Sequence, residues 1–135
     1  MDDRLHLEVV TPVGRLLDVE VDEVEVPGAL GALGVLPGHT ALLSALGIGR
    51  LTYRGPAGEG TLVVRHGFVE VLSDRVTVLC ERAQTPDEID VEAARTRRTE
   101  TQRAMLTASA EELEELAADL RMAETEIEVA EAAQS

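Results

Sequence analysis

Three histidines, one cysteine and a loop punctuated by glycines are the parts of this 135-residue chain whose types could carry chemistry. His6, His39 and His66 would suit a metal site or a general base. No helical or hairpin spacing joins them, and no cysteine or carboxylate stands at a ligand interval from any of them. Cys80 follows Val76, Val78 and Leu79 in an apolar run, where a small buried hydrophobe is expected rather than a nucleophile. The chain has no Gly-x-Ser-x-Gly elbow and no phosphate loop ending in Gly-Lys-Ser/Thr. The segment Pro27–His39 sets Gly28, Gly31 and Gly34 at a spacing of three, a loop able to take positive φ and approach a neighbour closely. It fails as a dinucleotide fingerprint, which needs a following helix and an acidic residue about 20 positions on; Pro37 and the strand-rich context deny both. A series of tight β-turns is the expected structure there. Neither a catalytic site, a metal nor a cofactor is expected, and the protein is not expected to be an enzyme in its own right.

The elements that would position these residues follow from composition. Twelve basic and 26 acidic side chains give a net charge of −14, and every basic residue is arginine. So acidic a chain is not expected to bind nucleic acid or an anionic membrane through its overall field. Tyr53 and Phe68 are the only aromatics, which removes stacking platforms for bases. A single cysteine excludes an internal disulfide framework. No run approaches ~18 apolar residues, so no insertion into a bilayer is expected. The amino terminus lacks a basic region followed by an apolar one, and an intracellular protein is expected.

Glycine and proline divide the chain. All 11 glycines lie between Gly14 and Gly67, and the last proline is Pro86. Residues 1–84 are expected to form one domain and residues 85–135 a second. In the first, period-two alternation recurs: Leu5, Leu7 and Val9 oppose Arg4, His6 and Glu8, and Val19, Val21, Val24 and Val26 continue the pattern against acidic partners. Later runs are Leu62–Val64, Phe68–Leu72 and Val76–Leu79. Such runs between turn residues predict an antiparallel sandwich of about ten strands. In the second, Thr85-Pro86-Asp87-Glu88 reads as a capping box, Asp90 as a rival N-cap, and Ser109-Ala110-Glu111-Glu112 as a second box. They predict helices over roughly 88–108 and 110–133. The later one carries a heptad seam of Leu113, Leu116, Leu120, Ala123, Ile127 and Ala130. The fold class is α+β: a β-sandwich followed by a helical hairpin.

Val9-Val10-Thr11-Pro12 with Gly14, the run Gly31 to Leu43, Gly67-Phe68-Val69-Glu70-Val71, Val76-Thr77-Val78-Leu79 and Ile89-Asp90 occur in an order and spacing that closely resemble the epsilon subunits of bacterial F-type ATP synthases. The resemblance implies a non-catalytic rotor subunit of a proton-translocating synthase, peripheral on the cytoplasmic face of the bacterial membrane. Its sandwich would bind the central-stalk gamma subunit and rest on the polar loops of the c-ring. Its helical arm would fold down or extend toward the alpha/beta catalytic head. By position, Gly31, Ala32, Leu33 and Gly34 would face the c-ring, and His39, Thr40 and Leu43 would lie near gamma. The family often has glutamate where this chain has Ala32, and a second glycine where it has His66.

The arm departs from the family pattern in two ways. Some members bind ATP in the folded hairpin through Ile/Leu-Asp-x-x-Arg-Ala. Here Ile89 and Asp90 are followed by Ala93-Ala94, so the motif's arginine is missing and Asp90 has a sufficient role as a helix cap. An ATP-sensing module is therefore the alternative reading, with Ala93 against it. Residues 109–135 also hold nine acidic side chains against Arg121, leaving −8. A helix that acidic would be repelled from an acidic surface on the catalytic head, and weak inhibition by the arm is expected.

Overall fold

The computed structural model describes residues 4–134. The chain divides into two units, the first running through Ala83 and the second starting at Gln84. In the first, β1 (Leu5–Thr11), β2 (Gly14–Val21), β3 (Glu23–Gly28), β4 (Gly31–Val35), β5 (Leu42–Gly55), β6 (Gly58–Val71) and β7 (Arg75–Gln84) follow in sequence. They form one continuous sheet in the order β2-β1-β7-β6-β5-β3-β4. Pairing is antiparallel for β1 with β2, β3 with β4, β3 with β5, and β5 with β6. The exception to the expected antiparallel arrangement is β1 with β7, which run parallel, His6 opposite Arg75 and Val10 opposite Leu79. Strands so distant in sequence need no tight turn between them, so parallel pairing meets no connection constraint.

Seven strands stand where about ten were expected, because β5 and β6 are each 14 residues long and serve both layers of the sandwich. The inward side chains record the bend. On β5 the core takes Leu46 and then Leu51; on β6 it takes Leu62 and Val64, then Val69 and Val71. An even-to-odd switch on a single strand means that the inward face changes side, since side chains alternate strictly. The switch falls between Leu46 and Leu51 on one strand and Val64 and Val69 on the other, where Gly47, Gly49 and Gly67 lie. The runs Leu62–Val64 and Phe68–Leu72, separate in the sequence, thus belong, except for Leu72 just beyond its end, to one strand that turns a corner. Around it pack Leu5, Leu7 and Val9 of β1, Val24 and Val26 of β3, Val35 of β4, and Val76 and Val78 of β7, all within 2% of full burial. Each such side chain contributes about 1.5–3 kcal/mol of transfer free energy.

At the corner the chain adopts backbone conformations that L-residues avoid. Gly67 has φ 144°, and a Cβ there would lie 1.9 Å from the Leu79 carbonyl oxygen, so only glycine fits. His66 just before it has φ 45°, the only left-handed non-glycine among the described residues. The family's second glycine is the residue that this conformation favours, and the imidazole holds it at a conformational cost.

In the second unit a 3-10 turn (Pro86–Glu88) leads to α1 (Val91–Met105) and α2 (Ala110–Ala133). Both rival N-caps are used, each for its own element. The Thr85 backbone N–H and hydroxyl donate to the Glu88 carboxylate at 2.9 and 2.8 Å, which holds that carboxyl below its ordinary range. Asp90 Oδ1 accepts from the Ala93 N–H at 3.1 Å and starts α1. The Ser109–Glu112 box opens α2, each residue bonding the other's backbone N–H. The first helix stops at Met105, short of 108, because the Leu106 and Thr107 N–H groups bond back three residues and tighten its last turn. Of the seam on α2, Ala123, Ile127 and Ala130 are buried, while Leu113 is 38% exposed. A second buried row, Met122, Glu126 and Val129, was not expected.

Substituting Gly67→Ala should destabilise the first unit by about 3 kcal/mol through steric overlap and strain. His66→Gly should leave stability unchanged or raise it by up to about 1 kcal/mol, and His66→Val should lower it by about 1–2 kcal/mol. Urea unfolding of the three variants against the parent chain measures all of these.

Candidate functional site

The residues whose types suggested chemistry are scattered. His6 on β1 contacts the Asp18 carboxylate on β2. His39 places Nδ1 2.7 Å from the Thr40 carbonyl oxygen. His66 is committed to the corner. Cys80 is buried on β7 with Sγ 3.8 Å from the Val10 carbonyl oxygen, and burial pushes its thiol up to about 11. A thiol held protonated at neutral pH is a packing group, not a nucleophile. Among the described residues, no group of three or more His, Cys, Asp or Glu side chains could hold a metal ion.

What the fold presents is surface. The glycine-rich segment is not a run of turns throughout: β3 and β4 form a hairpin closed by the two residues Ala29 and Leu30, and Gly31, Ala32, Leu33 and Gly34 lie on β4 itself. Gly31, Ala32 and Gly34 are exposed, Leu33 leans on the core, and Leu30 stands fully in solvent at the tip. His39 and Thr40 lie on the connection into β5, which is anchored where the Gly38 N–H donates to the Ser73 carbonyl at 2.7 Å. Leu43 follows on β5 and is 70% exposed. The two sets of candidate interface residues thus occupy adjacent stretches of chain, and the Ala29 N–H to Ala45 carbonyl bond, 3.0 Å, ties the hairpin to the start of β5.

Sequence reading missed an apolar patch on the outer face of the sheet. Phe68 alternates with buried Val69 and Val71, and Leu79 with buried Val78 and Cys80, so both point outward, 58% and 51% exposed. Phe68 pairs with Ala45 on β5, Leu43 pairs with Glu70 one step along, and Leu79 pairs with Val10 on β1. Leu43, Phe68 and Leu79 therefore line one outer face across β5, β6 and β7. Strand parity was the available signal: a phenylalanine one residue before inward Val69 and three before inward Val71 must face out. Contiguous apolar surface of this kind marks interaction sites on soluble domains.

On the arm, Ile89 ends the 3-10 turn and Asp90 is spent as the N-cap of α1. The nearby arginines are engaged by carboxylates of the same hairpin. Arg95 donates to Glu92 at 2.6 Å and to Glu131 at 2.7 Å, and Arg97 donates to Glu126 at 2.7 Å. Glu126 is 1% exposed and its second oxygen has no hydrogen-bond partner. The polar interior of the hairpin is an internal ion pair.

The described residues thus present a sandwich with an exposed apolar face and a capped helical hairpin. Residues 4–86 match the family described as ATP synthase, Delta/Epsilon chain, beta-sandwich domain. The chain is 44% identical over 132 residues to ATP synthase epsilon chain 2 of Syntrophotalea carbinolica, covering 96% of each. It is 45% identical over 123 residues to the ATP synthase epsilon chain of Solibacter usitatus, covering 90% of this chain and 92% of the relative. A chain in the Euglena gracilis mitochondrial ATP synthase structure (OSCP/F1/c-ring) superposes with a TM-score of 0.82 at 21% identity, covering 100% of this chain and 84% of that one, a likeness of fold. The protein belongs to the ATP synthase epsilon-chain family. It is a non-catalytic subunit, and the nucleotide-sensing alternative finds no support.

Removing the cation from the hairpin pair should cost more than removing the anion, because Arg97→Ala strands a buried carboxylate whereas Glu126→Gln does not. With Arg97 itself 42% exposed, the loss for Arg97→Ala is expected near about 2 kcal/mol, below the range for fully buried pairs. Double-mutant cycles on the unfolding free energy, with Arg97→Ala and Glu126→Gln, measure the coupling.

Proposed function

We propose that this chain is the rotor subunit that couples rotation of a c-ring, through the central-stalk gamma subunit, to ATP synthesis in an F-type ATP synthase. The single observation that carries the placement is the outward apolar face of Leu43, Phe68 and Leu79 on a sheet whose other face is full. A non-catalytic subunit with such a face needs a partner to cover it. A firm contact of ordinary size buries ~1,600 Å² in total, and a sandwich offers that surface with little chain to order on binding. Gamma is the partner assigned to this face, with His39, Thr40 and Leu43 at its border. Gly31, Ala32, Leu33 and Gly34 on β4 are assigned to the polar loops of the c-ring. No described helix is long and apolar enough to cross a membrane; attachment on the cytoplasmic face of the membrane would come through the complex.

The arm is assigned a position-dependent role beside the alpha/beta catalytic head. Its acidity, nine carboxylates against Arg121 from residue 109 on, of which Glu126 is buried against Arg97, disfavours insertion beside another acidic surface. Glu111 and Glu115, and Glu124 and Glu128, also sit one turn apart along α2, which costs a few tenths of a kcal/mol per pair.

Two measurements test the assignment. Phe68→Glu, alone or with Leu43→Asp, should leave the isolated chain folded and lower its affinity for gamma at least tenfold, since a central aromatic anchor is replaced by a charge; unchanged co-purification with gamma would refute the assigned face. Deleting residues 85–135 should leave ATP hydrolysis by the assembled complex nearly unchanged, and a several-fold activation would refute weak inhibition by the arm.

A further inference from the structure

β4 ends the strand order, so one of its sides is an unpaired sheet edge. The groups on that edge follow from its register with β3. Pro27 has no N–H, so the pair Pro27–Ala32 cannot be one that exchanges two hydrogen bonds. The exchanging pairs are Gly28–Gly31, Val26–Leu33 and Val24–Val35, which leaves the N–H and C=O of Ala32 and Gly34 aimed away from β3. Natural edges are blunted by charged side chains, proline or a bulge. β4, Gly-Ala-Leu-Gly-Val, has no charge and no proline, and its pairing with β3 is unbroken.

Beside this edge lies a hollow of about 430 Å³. Gly34 and Leu36 border it from the β4 side, and Glu23, Glu25 and Glu59 bring carboxylates to it. Glu25 stands directly opposite Gly34, and Glu59 opposite Arg54. Arg54 is the one cation of the lining and is held by Glu23 at 3.1 Å, so the hollow is negative on balance. Gly34 itself has no conformational or packing reason to be glycine: its φ lies outside the left-handed region, and an added Cβ would meet nothing within 4 Å. What the missing side chain preserves is open space at the edge.

The geometry points to a strand-addition site: an extended segment of another subunit, carrying an arginine or lysine, pairs with the main chain of Ala32 and Gly34 and places its basic side chain in the hollow. Main-chain bonds supply affinity in this mode and the side-chain pocket supplies selectivity. A second copy of this chain is a poor occupant, because each copy carries −14 and would bring more carboxylate to the same place. The inference rests on the reading above that the β3–β4 hairpin meets another subunit, and it adds the mode of contact and the charge of the partner.

Amide hydrogen exchange of the full chain, free and in the purified ATP synthase complex, read residue by residue by mass spectrometry, tests it. The amides of Ala32 and Gly34 should slow at least tenfold on assembly, while those of Leu33 and Val35, already bonded to β3, change little. Gly34→Val, which fills the hollow on a strand that tolerates valine, should keep the melting temperature of the free chain and weaken its retention in the complex several-fold; Glu25→Lys should do the same. Assembly with no added protection at Ala32 and Gly34, or with uniform slowing from Gly31 to Val35, overturns strand addition while leaving the rotor assignment intact. Protection of these two amides in the free chain that grows with its concentration assigns the edge to a second copy and overturns the proposal. Failure of the chain to enter the complex at all overturns both readings.

Discussion

The structure depends on how β5 and β6 turn from one layer of the sandwich to the other without losing their mutual register. The partners Leu46–Gly67 and Leu51–Leu62 keep one register, with the pair at Gly47 skipped, yet they lie on either side of the point where the inward face changes parity. Gly67 makes the turn possible, since the Leu79 carbonyl occupies the space of a side chain. If the corner fails, the valines of one layer lose their facing partners in the other, and the core of branched aliphatics falls open. With no tryptophan, an outward-facing phenylalanine and Tyr53 packed only against its margin, the core has no fully buried aromatic to compensate for misfit.

A corner held by sterics and a core of stiff, β-branched residues make a slab that resists shear. That property links fold to function here. A subunit that transmits rotation has to keep its faces at fixed relative positions under load, and rotamer-restricted valines packed at native density deform little. The same demand accounts for the inert chemistry. Cys80 is buried and protonated, and the histidines are tied to local contacts, so each candidate reactive group serves packing or hairpin geometry instead.

Much of this was legible in the amino-acid order, and the rest was hidden for identifiable reasons. Alternation in Leu5-His6-Leu7-Glu8-Val9 marked β1 and its buried face, and the Ser109 box marked the start of α2 to the residue. The strand count was not legible because parity switches look like strand breaks: Val64 and Val69 differ by an odd number, and only the pairing with β5 shows that β6 runs through. Glycine at a spacing of three suggests a run of turns at Gly31, whereas Gly34 is extended strand. Phe68 as an exposed anchor could have been derived from parity, but the pull of an aromatic toward the core is a strong prior. Glu126 was not derivable, since burial of a carboxylate depends on Arg97 arriving from 29 residues away.

The arm shows how a local substitution changes what a scaffold is able to do. A hairpin that closes around a polyanion needs uncommitted guanidinium groups facing inward. In this chain Arg95 and Arg97 meet Glu131 and Glu126 across the two helices, and the position that would carry a further arginine is Ala93. The carboxylates on α2 thus occupy the donors that an anionic ligand would require. Closing the hairpin is then an intrachain matter, to which the Arg95–Glu131 and Arg97–Glu126 pairs and the buried Met122, Ala123, Ile127, Val129 and Ala130 contribute, and screening by salt acts on the more exposed pair, Arg95 with Glu131, before the buried one. The acidity of α2, which would weaken a contact with an acidic neighbour, is the same property that lets it neutralise the arginines of α1.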